Sequence, residues 1–208
     1  MLLILLTSLF LSFTVNQISI PEQQLYDYSE LYKTVEEEEN NFYIRDSIND
    51  KISQLTKDDV ISFYTQFTNN RAIAEVIVTY GIDHGVPVNI LFSIAWKESR
   101  YNPRAVNTGN RNGSIDWGLF QLNNQYTSFT RDQFLNIYHN TNRAAEILSE
   151  LIEWSDGDII RALYSYNAGF TRVSRGDIPA STHDYVTDVL DYEDMLNQEF
   201  NKWVREMA

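Results

Sequence analysis

Two stretches of helical apolar periodicity, set back to back, constrain this chain more than any other feature. Ile73, Val76, Ile77 and Tyr80 recur at i, i+3, i+4 and i+7, and Val88, Leu91, Phe92 and Ala95 repeat that spacing a few residues on. Each set paints an apolar stripe on one helical face, and such faces are buried against other elements. Gly81 and Gly85 mark the end of the first helix and the turn after it, and Pro87 suits a first helical position. The second helix ends before Pro103, because a residue preceding proline avoids the helical region. Thr56–Asp59 reads as a helix start ahead of Val60, Ile61, Phe63 and Tyr64, and Thr130–Gln133 as a capping box. Further helices are expected at about 141–154, 158–167 and 183–197, with Gly169 stopping the second of these. Residues 104–118 are rich in Asn and Gly, lack apolar periodicity, and read as a loop with room for a small hairpin. The expected class is mainly α.

The 208 residues, 43% of them hydrophobic, suffice for one core domain plus an N-terminal extension. Leu2 to Val15 is apolar, broken only by Thr and Ser. It is short for a membrane span and has the length of a signal-peptide core. No Lys or Arg precedes it and no small-x-small site follows, so residues 1–19 are either a signal peptide or an uncleaved N-terminal anchor. Either way, export to the periplasm or cell envelope is expected. Residues 20–65, with the run Glu36–Glu39, read as an acidic, partly helical extension that could dock an envelope partner. Residues 66–200 read as the compact domain and 201–208 as a tail. A net charge of −13 suits nucleic acid poorly, since phosphate binding relies on Lys and Arg. Cysteine is absent, which excludes disulfides, thiolate metal sites and a Cys nucleophile. His84, His139 and His183 lie far apart and form no short ligand motif, so neither a metal nor another cofactor is expected. A monomer is expected.

Glu98 is out of place. It lies seven residues after Leu91, four after Ile94 and three after Ala95, on the apolar side of its helix. A carboxylate placed there is either paired or protonated, because burying it ionised is costly. Desolvation raises its pKa, as a general acid working near neutrality requires. The competing reading is a structural Glu held by Arg100 or Arg104. Asp116 ends the Asn/Gly loop just before Trp117–Gly118. It is either a functional loop carboxylate or a turn-forming Asp bonded to its own backbone. Two carboxylates flanking a sugar bond would suit glycoside hydrolysis.

Four motifs, in order, then carry a resemblance. Glu98-Ser99-Arg100-Tyr101-Asn102-Pro103-Arg104-Ala105 resembles the Glu-Ser-x-x-Asn-Pro-x-Ala signature of the lytic transglycosylases. Gly118-Leu119-Phe120-Gln121 resembles their Gly-Leu-Met-Gln, with Phe for Met, and Tyr166-Asn167-Ala168-Gly169 their Ala-Tyr-Asn-Ala-Gly helix end. Pro179, Thr182, Tyr185 and Val186 match the segment leading into the family's last catalytic helix. The resemblance covers roughly residues 70–197. It implies a lysozyme-like helical domain with a glycan-binding groove, acting on peptidoglycan strands. Glu98 would be the catalytic acid, cleaving the β-1,4 bond between N-acetylmuramic acid and N-acetylglucosamine. By the same resemblance Gln121 would hydrogen-bond sugar near the cleaved bond, and Tyr166 would point into the groove beside Glu98, its hydroxyl helping to place the acid or the substrate's acetamido group. Asn167 would fix the helix end or contact sugar, Tyr185 would line the groove, and Ser99 would brace the turn after Glu98. Each tyrosine could equally be ordinary core with a satisfied hydroxyl.

The chain departs from that pattern at Asn107, where the family often has Ser, at Ser181, where it often has Glu, and in the longer loop Thr108–Asp116. The stretch Gly113–Asn123 looks like that of animal-type lysozymes, whose matching Asp is a second catalytic carboxylate; specialised transglycosylases of secretion and conjugation machineries resemble it too. Asp116 therefore divides two enzymatic expectations. In the favoured transglycosylase reading it shapes the loop or binds sugar; in the muramidase reading it is nucleophile or ion stabiliser. A glycan-binding scaffold on a retired enzyme fold is the remaining alternative.

Overall fold

The computed structural model describes residues 55–207 apart from Arg111. The apolar leader, the Glu36–Glu39 run and most of the extension lie outside the described residues. The order is α1 (Lys57–Thr68), α2 (Arg71–Asp83), α3 (Val88–Ser99), β1 (Val106–Asn107), β2 (Asp116–Trp117), β3 (Leu122–Asn123), α4 (Arg131–Phe134), α5 (Ile137–Trp154), α6 (Ile159–Ala168), α7 (Phe170–Ser174) and α8 (Ala180–Glu206). Among the described residues, no helix is long and apolar enough to cross a membrane.

Local chemistry sets the helix ends. Thr56 and Asp59 form a reciprocal capping box at α1, and Thr130 and Gln133 do the same at α4. Asn70, Asn136 and Asp158 cap α2, α5 and α6, satisfying backbone N–H groups that have no partner inside the helix. Pro87 stands one position earlier than expected: it is the N-cap of α3, and its carbonyl accepts the first helical bond, from Leu91 N at 3.2 Å. Gly169 ends α6 with φ 88°, a conformation open to glycine.

The stripes of α2 and α3 are buried as the periodicity requires, with Ile73, Ile77, Leu91, Phe92 and Ala95 all inside. Around them pack α1, α5, α6 and α8. Both ends of the compact unit extend beyond the boundaries expected at residues 66 and 200. The Phe63 ring of α1 meets Phe200 and Trp203 of α8 at centroid distances of 5.0 and 5.2 Å, and Tyr64 stacks on Phe92 at 3.9 Å. Aromatic burial on this scale joins residues 57–65 and 201–206 to the core, and Val204 is fully buried.

A three-stranded antiparallel sheet, β1-β2-β3, fills the Asn/Gly loop where a small hairpin was expected. Each strand is two residues long, and the register places Asn107 and Asn123 on either side of Asp116. One buried side chain fixes this loop to the helices. Asn140 of α5 donates to the carbonyls of Trp117 and Phe134, each at 3.0 Å, and accepts from Phe120 N at 2.8 Å.

Candidate active site

Glu98 lies in the last turn of α3. Its backbone is held by the apolar stripe below and by a left-handed cap at Arg100, whose N–H bonds the carbonyls of Ala95 and Trp96. The Ser99 hydroxyl contacts the carbonyls of Ala95 at 3.1 Å and Leu119 at 2.7 Å, joining the helix end to the Gly118–Gln121 turn.

The Glu98 carboxylate has no arginine partner among the described residues. Arg100 instead lies over the Trp96 ring at 3.3 Å, and Arg104 is exposed. The carboxylate accepts a hydrogen bond from the Tyr185 hydroxyl at 2.8 Å. Burial drives its pKa up from an ordinary 4.5 to about 7; the Tyr185 bond opposes this, the Asp116 charge adds to it, and Lys97 draws it back. Lys97 is itself paired with Asp188 on α8.

Glu98, Asp116, Gln121, Tyr166 and Asn167 line one groove of ≈1000 Å³. Tyr185 does not line it, contrary to the sequence expectation. Its ring is 5% exposed in the core, and its hydroxyl turns towards Glu98. Tyr166 does face the groove, but its hydroxyl contacts the Phe120 carbonyl at 3.4 Å rather than the acid. Burial, followed by the Glu98 charge, pushes both phenols well above their ordinary 10.0, so each keeps its proton. Gln121 adopts φ 46° and spends its amide N–H groups on the carbonyls of Gly118 and Ala105, at 2.9 and 3.2 Å. Asn167 is exposed at the end of α6.

Asp116 is more than a turn residue. One oxygen accepts from Asn107 at 3.0 Å and Asn110 at 2.8 Å, and the other from Asn123 at 2.6 Å. The cross-strand pairs supply two of these amides. Asn107 and Asn110 lie in the stretch expected to be loop, and Asn123 just beyond it carries no pattern that marks it as a partner of Asp116. Two exposed rings that the sequence does not single out, Tyr126 and Phe170, also lie on the groove.

Removing the Tyr185 hydroxyl isolates its effect. Tyr185→Phe keeps the buried ring and loses the only side-chain hydrogen bond to the Glu98 carboxylate among the described residues. The ionised form loses support, so the alkaline limb of an activity profile should move to higher pH. The rate should fall about tenfold or more, the scale of one hydrogen bond to a charged group. A pH–rate series on both proteins checks this.

Comparison with known proteins bears on the family and the fold. The transglycosylase SLT domain family matches residues 75–182. Protein IpgF of Shigella flexneri is 34% identical over 96 residues, 43% of this chain and 62% of that protein. Lysozyme 2 of Lucilia sericata is 53% identical over 45 residues, 20% of this chain and 32% of that one. The matched stretches thus span less than two thirds of each relative. An X-ray structure of an inactive mutant of the lytic transglycosylase Slt from Pseudomonas aeruginosa superposes with TM-score 0.51 at 16% identity, covering 84% of this chain and 34% of that one. The shared fold is the lysozyme-like helical one.

Proposed function

Because the chain belongs to the transglycosylase SLT domain family, we propose that it cleaves peptidoglycan glycan strands between N-acetylmuramic acid and N-acetylglucosamine, with Glu98 as acid and then base. The observation that carries this reading is the Glu98 carboxylate: partly buried, on a groove and bonded to a phenol rather than a cation, so that burial pushes its pKa up to about 7. A group with that proton affinity can both give and take a proton near neutrality.

In the first step protonated Glu98 gives its proton to the glycosidic oxygen as the bond to the anomeric carbon breaks. The N-acetylglucosamine end leaves as an alcohol. The developing cation on the muramic ring is stabilised by that sugar's own acetamido oxygen. In the second step ionised Glu98 takes the proton of the C6 hydroxyl, whose oxygen attacks the anomeric carbon. A 1,6-anhydro ring forms, Glu98 regains its proton, and no water is consumed. Tyr185 steadies the carboxylate between the steps, since its hydroxyl donates to the charged form. The apolar leader would carry the domain to the envelope, where this substrate lies.

Asp116 on the same groove favours one second reading, hydrolysis by a muramidase. The asparagine amides around it argue for the first. A carboxylate whose oxygens already accept three amide bonds is a poorer nucleophile and a better fixed charge. That charge raises the proton affinity of Glu98. Mass spectrometry of digested peptidoglycan separates the two. Anhydro ends, lighter by one water, are expected; reducing ends would support the muramidase. Asp116→Asn should keep anhydro products and move the alkaline limb of the pH–rate profile to lower pH. Under hydrolysis the same variant would lose turnover by orders of magnitude.

A further inference from the structure

Three Phe, Tyr or Trp rings are exposed among the described residues, and two of them line this groove: Tyr126, 81% exposed, just past β3, and Phe170, 47% exposed, at the start of α7. A single exposed ring needs no explanation, but two opening onto the groove that holds Glu98 are a different matter. Phe170 is also oriented. It directly follows Gly169, whose φ of 88° turns the chain out of α6, and its ring meets Trp154 edge to face at 4.6 Å. Trp154 is in turn covered by the Arg161 guanidinium at 4.3 Å. The ring is thus braced by a partner while much of it stays open to solvent.

We propose that Phe170 and Tyr126 are stacking platforms that hold two sugar rings of the glycan strand, one on each, and so position the strand over Glu98. The proposal rests on the reading of the groove as a glycan site. The chemistry selects the occupant. The Asp116 carboxylate disfavours an anionic ligand, whereas N-acetylglucosamine is neutral. In β-linked N-acetylglucosamine the ring substituents are equatorial, so each face presents C–H groups of slight positive character. An aromatic face carries the complementary negative charge. Asn167 lines the same groove with an amide group, and Gln121, its N–H groups already bonded, with an amide oxygen that can accept from a hydroxyl or an acetamido N–H.

Tetra-N-acetylchitotetraose is the probe, and its binding to the full-length Glu98→Gln chain is measured by calorimetry. Phe170→Ala and Tyr126→Ala on that background should each weaken binding about tenfold. Phe170→Trp and Tyr126→Phe should restore it. Phe170→Leu keeps apolar bulk against Trp154 but has no π face, and should bind as weakly as the alanine variant, with an unchanged melting temperature. Alanine variants that bind within twofold of the parent would overturn the proposal. So would leucine binding as tightly as phenylalanine, or a parent that does not bind the probe. None of these outcomes touches the enzymatic reading, which stands or falls on digestion of peptidoglycan by the native chain.

Discussion

Glu98→Gln should abolish wall cleavage, by about three orders of magnitude, and make the protein more stable in mildly alkaline buffer. The first effect follows from removing the group proposed to give and take the proton. The second follows from linkage. Folded Glu98 titrates at about 7 because burial disfavours its charge, against an ordinary 4.5 for the exposed group. Between those values the folded state keeps a proton that the unfolded chain releases. Stability therefore falls as pH rises from 4.5 to about 7, and levels off above, with a full deficit of about 3 kcal/mol. Glutamine carries no charge, and its carbonyl can still accept from Tyr185. At pH 8 the variant should melt several degrees above the parent, on the order of 5–10 °C; at pH 4 this advantage should vanish. Thermal melts at the two pH values check it, and a gain of equal size at both would rule out the titration as its cause.

Gly118→Ala should be the most damaging small substitution in the loop. Gly118 has φ 77°, where an L side chain is strained. A Cβ there would stand 2.3 Å from the Phe134 carbonyl oxygen and 2.6 Å from Asn140 Nδ2. Neither can yield cheaply, because they bond each other at 3.0 Å and Asn140 also holds Trp117 and Phe120. The expected loss is about 4 kcal/mol or more, a large share of what holds a domain folded. Gly113→Ala is the control: its φ is 76°, but nothing lies within 4 Å of the added carbon. It should cost only about 1 kcal/mol of backbone strain. Urea midpoints distinguish the two; equal losses would mean that the Asn140 staple does not constrain the turn.

The contrast between these two glycines shows where sequence stops being legible. Both sit in an Asn/Gly-rich stretch and read alike as turn formers. Only the packing of α5 beneath the loop separates them, through an asparagine 22 positions away that shows no pattern of its own. The helices α2 and α3 were readable because a buried face repeats at fixed intervals. Glu98 was readable for the same reason, as a break in that repeat. Its true partner was not, since Tyr185 lies 87 residues on and reaches the acid through the packing of α8 on α3. The amides around Asp116 come from a sheet register, and strands of two residues are too short to leave an alternating signature. Phe200, Trp203 and Val204 stand among polar residues, which hid the last turns of α8. Exposure is a property of the fold, so nothing marked Tyr126 and Phe170 among the chain's other aromatics.

The proposed chemistry depends on the proton affinity of one side chain. Carbon-13 NMR of glutamate-labelled protein, with the Glu98→Gln variant identifying the missing resonance, measures it directly. A carboxyl carbon titrating at about 7 is the result the structure predicts. A midpoint at the ordinary 4.5 would mean that Glu98 is ionised throughout the working range and has no proton to give.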